Sequence, residues 1–273
     1  MAAKVRIVKN VEGETAAKAA GHVVAAATKS HSKKAKEPPV PGQITLAIDI
    51  GGTGLKAAVL DPKGNMLTER VRVDTPPECT PEQLVDSLHT LVNPLPHFDR
   101  VSVGFPGVVS AGIIKTAPNL GTPRFHGFNL GAALEKAFGC PVRVLNDADV
   151  QGYAAIHGKG IEMVITLGTG FGTSIFHDGD IAPHLEISQH PFRKGETYDQ
   201  QLGQDARKKI GNKKWQKRVR RAIDTLRTLV NFDHLYIGGG NAKHLEGDLP
   251  ADISLVDNSA GILGGIRLWD KAQ

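Results

Sequence analysis

Apolar and β-branched side chains run almost unbroken over residues 44–50 and again over 55–60, and the four residues between are Gly51-Gly52-Thr53-Gly54. Short apolar runs bounded by glycine predict two strands of a hairpin. Residues 65–73 predict a third strand, and 81–95 carries Leu84, Leu88, Leu91 and Val92 at helical spacing. A strand over 100–105 follows, then the Pro106-Gly107 break, a helix over 130–138, a strand over 142–145 and a helix over 148–157. A three-strand meander followed by alternating helix and strand predicts a mixed α/β domain.

The same order then recurs. Residues 163–167 and 173–177 predict strands on either side of a second glycine turn, Gly168-Thr169-Gly170-Phe171-Gly172. A helix over 213–230 would turn Trp215, Val219, Ala222, Ile223 and Leu226 to one side. A strand over 234–237 ends in Gly238-Gly239-Gly240, and a strand over 253–256 leads into a helix over 259–269. Two halves that each open with strand, glycine turn and strand indicate an internal duplication. A cleft between such halves is the natural place for a ligand. The expected division is 44–146 and 147–273, with the last helix packing back on the first half. Residues 1–43, with two helical stretches near 11–28 and a Pro-rich end at Pro38-Pro39-Val40-Pro41, are expected to form a basic, mobile extension.

Composition narrows the class. Hydrophobic residues make up 40% and charged residues 22%, the balance of a soluble globular protein rather than of collagen or a disordered chain. No run of about 18 apolar residues predicts a membrane span, and no signal-peptide core opens the chain. Two cysteines, Cys79 and Cys140, are too few for a disulfide scaffold, so the expected setting is the cytoplasm. The formal net charge is +5. Residues 1–43 hold eight Lys or Arg against three acids, and the remainder holds 25 of each, so the excess lies in the extension and neither nucleic acid nor membrane is an expected partner of the body. Between Arg207 and Arg221 stand nine cations and no acid. Such a block is ordinarily a solvated helix face; its other reading is a track for a long polyanion, with Lys213, Lys217 and Arg220 sharing a face.

The candidate chemistry centres on the glycine turns. Successive unobstructed backbone N–H groups form the concavity a phosphate needs. Asp49 precedes the first turn and Lys56 follows it; the second is Gly168-Thr169-Gly170. A tight hairpin calls for glycine in any case, but two such turns in equivalent places argue for a shared task. Neither fits the GxxxxGK[ST] loop or the dinucleotide fingerprint. Asn146-Asp147 stands at a strand end ahead of a helix, where Asn and Asp serve as N-caps or where a carboxylate takes a proton from a hydroxyl.

Taken together, Asp49 to Lys56, Gly104-Phe105-Pro106-Gly107-Val108-Val109, Pro118-Asn119-Leu120, Leu145-Asn146-Asp147-Ala148-Asp149, Leu167 to Gly172 and Ile237-Gly238-Gly239-Gly240 resemble the ROK sugar kinases, and within them the polyphosphate glucokinases. The likeness runs over about residues 44–271 with every block in family order. It implies the actin/hexokinase-like fold, a duplicated pair of ribonuclease-H-type domains with the site in the cleft. It implies transfer of a phosphoryl group from inorganic polyphosphate, or ATP, to the 6-hydroxyl of glucose, with Mg²⁺ and a homodimer. By position Asp147 matches the base; Asn119, Asn146, Glu186, His190 and Gly107 match the sugar site; Asp49, Gly51, Gly52, Thr53, Gly54 and Lys56 match the first phosphate block, Asp49 also serving the metal. Gly168, Thr169 and Gly170 match the second phosphate block, and Gly238, Gly239 and Gly240 the nucleotide-side block. The chain departs from the family in carrying Gln189 where most members have histidine, and in lacking the Cys-rich zinc motif. Two other readings are a family transcriptional regulator, for which residues 1–43 are too short, and a sugar-binding protein without catalysis, against which Asp147 and both phosphate turns speak. An ATP-dependent kinase of another hexose stands beside the glucose reading.

Overall fold

A computed structural model describes residues 6–8, 43–256 and 260–269. The first half is a six-stranded sheet in the order β1-β4-β3-β2-β5-β8. β1 (Arg6–Val8) is its edge, β2 (Thr45–Ile50) and β3 (Leu55–Leu60) form the expected hairpin, and β4 (Arg70–Val73) is shorter than the 65–73 run. Asp61 explains the shortening: its carboxylate accepts the N–H groups of Lys63 and Asn65, which turns the chain and leaves only an isolated Leu60–Met66 bridge before β4. Every residue of β2 and β3 is buried except Asp49 and Lys56, which are cross-strand partners.

The helix α1 (Pro81–Val92) starts where Thr80 and Gln83 make a capping box and buries Leu84, Leu88, Leu91 and Val92, the face the spacing predicts. β5 (Arg100–Phe105) runs parallel to β2. A small hairpin, β6 (Val109–Ser110) and β7 (Ile113–Ile114), and a short α2 (Thr122–Phe125) precede α3 (Leu130–Phe138). β8 (Val142–Asn146) runs parallel to β5, and α4 (Asp147–Ala155) begins on the next residue.

The second sheet, β11-β10-β9-β14-β15, repeats the plan. β9 (Ile161–Leu167) and β10 (Phe171–His177) are its hairpin, with β11 (Asp180–Ile181) at the edge. A two-stranded ribbon of β12 (Pro191–Arg193) and β13 (Glu196–Thr197) leads to α5 (Tyr198–Leu202), α6 (Gln204–Ile210) and α7 (Asn212–Val230). β14 (His234–Gly238) and β15 (Ile253–Leu255) lie parallel to β9. In both halves an antiparallel hairpin is extended by two parallel strands, which is the expected duplication. The basic block is divided: Gly211, at φ +79°, ends α6, and Asn212 starts α7. Trp215, Val219, Ala222, Ile223 and Leu226 are the buried residues of α7, as the spacing requires.

The last described residues return to the first half. α8 (Ala260–Leu263) passes into a 3₁₀ turn, Gly264–Trp269, instead of continuing as one α-helix. Packing accounts for the change. A Cβ at Gly265 would stand 3.0 Å from that of Ser102, whose hydroxyl donates to the Gly265 carbonyl at 2.6 Å and accepts from the Trp269 indole at 2.8 Å. α4 packs against β5, β8, β9, β10 and α8, so the helix that starts at Asp147 joins the halves. Of the extension expected to be mobile, Arg6–Val8 pairs antiparallel with Arg70–Arg72 of β4, and the helical stretches near 11–28 lie outside the described residues. A chain starting at Gln43 loses a three-residue edge ladder and, among the described residues, none that lines the cleft. It is expected to keep its specific activity and melt slightly lower; an inactive but folded product would place the segment in the site.

Candidate active site

Between the halves lies a cleft of about 280 Å³ whose walls are the two hairpin turns. In the first, the Gly51 N–H donates to the Gly54 carbonyl at 3.0 Å, and the Thr75 hydroxyl holds the Gly51 carbonyl at 2.6 Å. In the second, the Gly168 N–H donates to the Gly170 carbonyl at 3.0 Å. The Gly168 carbonyl is in turn held by the Gln204 N–H at 3.0 Å and the Asn241 side-chain amide at 2.8 Å. Gly239 joins this wall at φ +86°, where a Cβ would stand 2.5 Å from the Leu167 carbonyl oxygen. Only glycine meets both conditions. Gly240 also lines the cleft, whereas Gly238 is the buried last residue of β14 and does not.

Asp147 stands on the floor between these walls. Asn146 ends β8 and caps α4, accepting the Ala148 N–H at 2.8 Å, while its amide donates to the Gly107 carbonyl at 3.1 Å. The capping role and the site role of the pair therefore coexist: the cap fixes where the next carboxylate points. Burial, then the charge of Asp49, and then the charges of Asp149 and Glu186 push the Asp147 carboxyl up to about 7, against the pull of the Ala148 N–H. A half-buried carboxylate with a pKa near neutrality suits proton abstraction from a hydroxyl.

The remaining polar lining comes from both halves. Asp49 pairs with Lys56 at 2.7 Å. Asn119, exposed, faces Gly52, whose Cβ would stand 3.1 Å from that of Asn119. Glu186 reaches the cleft from the irregular stretch after β11; burial would raise its pKa, but His184 and Ser188 outweigh burial and hold it below the usual range. Asp199, from α5, accepts the Phe171 N–H at 2.6 Å and the Gln189 amide at 2.9 Å. Burial pushes its pKa up to about 6, opposed by the Phe171 N–H and helped by Glu186. Gln189, at the usual histidine position, is thus spent on Asp199.

Several expected site residues are not brought in. His190 is exposed and its ring bonds the Pro191 carbonyl at 3.0 Å, away from the cleft. Lys213, Lys217 and Arg220 are exposed on α7 and do not line the cleft; Arg220 donates to the Glu246 carbonyl at 3.1 Å. Arg207 of that block is linked to the second turn through Asn241: its Nε donates to Asn241 at 3.1 Å, and the Asn241 amide holds the Gly168 carbonyl. The sequence reading missed Arg72, Gln151 and Asp199, all in the lining. Arg72 is the cross-strand partner of Lys56 and donates to the Thr53 carbonyl at 3.2 Å; the alternation of β4 was the signal that would have placed it beside the first turn.

The chain resembles known sugar kinases over most of its length. Over 248 residues the chain is 29% identical to the polyphosphate glucokinase of Mycobacterium tuberculosis strain H37Rv, covering 82% of this chain and 92% of that protein. Over 144 residues, 50% of the chain and 48% of the relative, it is 39% identical to the N-acetylmannosamine kinase of Escherichia coli strain SE11. Among solved structures, the inorganic polyphosphate/ATP-glucomannokinase from Arthrobacter sp. strain KM superposes with a TM-score of 0.75 at 30% identity, covering 83% of this chain and 98% of that one. A ROK family glucokinase from Streptomyces griseus, at 20% identity and a TM-score of 0.69, has the same fold. The family model of the ROK family matches residues 45–183, and with the duplicated sheets and the cleft in place, this chain belongs to the ROK family and has its actin/hexokinase-like fold.

Proposed function

We propose that the chain is a sugar kinase that moves a phosphoryl group from inorganic polyphosphate, with ATP as a second donor, to the 6-hydroxyl of glucose, giving glucose 6-phosphate. The observation that carries this reading is the position of Asp147, a carboxylate poised near pH 7 on the floor of a cleft walled by two phosphate-type turns. Phosphoryl transfer asks the protein for little beyond positioning, charge neutralisation and a base beside the acceptor hydroxyl. Asp147 takes the hydroxyl proton, Asn119, Asn146 and Glu186 hold the sugar, and the turns with Lys56 and Arg72 hold the donor.

Mg²⁺ fits this arrangement as an ion that arrives with the donor. Among the described residues no three His, Cys, Asp or Glu side chains gather as a dedicated metal cage. Mg²⁺ is commonly held by one or two carboxylates plus substrate phosphates and water, and Asp49, beside the first turn, supplies such a carboxylate. Bound there, the ion would neutralise charge on the transferred phosphate.

The test is a coupled assay for sugar phosphate with glucose, mannose and N-acetylmannosamine against polyphosphate and ATP. Glucose 6-phosphate formed from polyphosphate supports the reading. Turnover of N-acetylmannosamine alone favours the second reading, a kinase of another hexose, in line with the 39% identity to the E. coli relative over half of the chain. No product with any pair overturns catalysis.

The cations of α6 and α7 add a prediction about the donor. A short nucleotide triphosphate ends near the turns, whereas a long polyanion runs past Arg207 toward Lys213, Lys217 and Arg220. Changing those three to Gln is expected to raise the polyphosphate KM about tenfold and the ATP KM far less, with a shallower loss of polyphosphate use on adding salt. Equal effects on both donors would reduce the block to a solvated face.

A further inference from the structure

Glu186 lies in a stretch with no regular secondary structure, so neither a helix nor a ladder fixes its side chain. Three contacts do. The Ser188 N–H donates to Glu186 Oε1 at 3.2 Å, the Thr173 hydroxyl holds the adjacent Leu185 carbonyl at 2.5 Å, and His184 Nε2, buried and without a hydrogen-bond partner among the described residues, stands at ion-pair distance, 3.5 Å, from Glu186 Oε2. The other ring nitrogen of His184, Nδ1, is 3.4 Å from Asp149, which lies on α4 two residues past Asp147. The side chains of His184 and Asp149 are 13% and 6% exposed. A neutral imidazole has one N–H and serves one carboxylate, whereas an imidazolium has two and serves both.

We propose that His184, as an imidazolium, is a positioning residue that ties Glu186 of the second half to Asp149 on α4 and thereby sets the sugar-side carboxylate relative to Asp147. His184 does not itself line the cleft, so it acts through Glu186. Burial alone would lower the ring's pKa; the hydrogen bonds and charges of Asp149 and Glu186 outweigh it and push it up to about 10, which keeps the ring charged through neutral pH. The tie also balances two of the carboxylates whose charge raises the Asp147 pKa. Its loss leaves a loop glutamate held by one backbone N–H and a helix carboxylate buried without its cation.

The inference rests on the sugar-kinase reading, and a double-mutant cycle with a spectroscopic arm separates the two. Full-length His184→Gln, Glu186→Gln and the double variant are assayed at about pH 8.5, above the Asp147 pKa of about 7 in the parent. His184→Gln is expected to raise the sugar KM about tenfold while kcat at saturating sugar stays within about threefold, and the double variant is expected to be no worse than Glu186→Gln. Asp149→Asn loosens the same tie from the other side and gives a smaller KM rise, which guards against a folding defect peculiar to position 184. Ring ¹⁵N shifts of His184 are expected to report imidazolium at pH 8, and neutral imidazole in Glu186→Gln carrying Asp149→Asn. Additive KM effects, or a neutral His184 ring at pH 8 in the unmodified protein, overturn the tie. A silent Glu186→Gln instead overturns the sugar role of Glu186, and the tie then stands or falls on the ring shifts alone.

Discussion

Asp147→Asn is expected to lose turnover by about a hundredfold or more, with little change in sugar affinity, and to melt at a higher temperature than the parent. The first effect follows from chemistry: the amide keeps the shape and the contact to the Ala148 N–H but has no lone pair basic enough to take the hydroxyl proton. The second follows from linkage. The folded-state pKa of Asp147, about 7, lies above its ordinary value of 3.8. The folded protein therefore binds this proton more tightly than the unfolded chain does, and ionising the group costs stability. As pH falls from 7 towards 4 that cost is relieved; above 7 it is present in full. The variant is without it at every pH, so its advantage should be on the order of 1 kcal/mol or more at neutral pH and vanish near pH 4. In the parent, kcat/KM is expected to fall below about pH 7 as the base protonates, and that acid limb should be absent from the residual activity of Asp147→Asn. Near-normal turnover in the variant would assign the base to another group, and an unchanged melting temperature would show that the carboxylate is not strained by its surroundings.

Gly107→Ala is expected to cost roughly 3 kcal/mol of stability and to raise the sugar KM at least tenfold. A Cβ on Gly107 would fall well inside contact with the Thr116 carbonyl, 2.8 Å from its carbon and 3.2 Å from the Ala117 Cα. These are backbone atoms, so no rotamer change relieves the overlap, and such overpacking is expensive. The displaced segments are those that hold the site: the Gly107 carbonyl accepts from Asn146, and the chain past Ala117 leads to Asn119. Shifts of about 1 Å in groups that position a substrate are enough for losses on the order of a hundredfold. Urea unfolding and sugar-dependent kinetics read the two effects separately. Parent-like stability would mean that the 106–108 segment moves aside freely, and a parent-like KM would mean that Asn146 does not depend on this carbonyl.

How much of this could be read from the chain alone depends on how local each signal is. The strands around Gly51 to Gly54 and Gly168 to Gly170 were legible because a hairpin is written in neighbouring residues: apolar runs, then glycine, then apolar runs. The buried side of α7 was legible because 3.6-residue periodicity acts within one helix, and Trp215, Val219 and Leu226 lie where it puts them. Asn146 and Asp147 were legible as a strand end and helix start, and the family pattern supplied their expected roles. By contrast, the 65–73 run shortened because Asp61 captured two backbone donors, and the last helix tightened because Gly264 packs against Val150 of α4 and Gly265 against Ala47 and Ser102 of the first half. The first cause is a local turn, two to four residues long, that the apolar run masked; the second acts between segments that no local pattern connects.

The sequence by itself therefore determined the elements, their duplication and the candidate residues for phosphoryl chemistry, the first two because propensity, periodicity and turn geometry are properties of short segments and the last through the family pattern. Only the tertiary structure decided which of those residues meet. His190 and Asp199 are both polar residues near Glu186 in sequence, yet the structure leaves the first in solvent and puts the second beside the Gly170 turn. Lys213, Lys217 and Arg220 share a helix with the core residue Trp215 but stand outside the cleft, while Arg72, from β4 of the first sheet, lines it. Asp147 acquires its pKa of about 7 from burial and from Asp49, Asp149 and Glu186, three carboxylates drawn from three segments. Desolvation and Coulomb interaction depend on distance in space, and distance along the chain does not supply it.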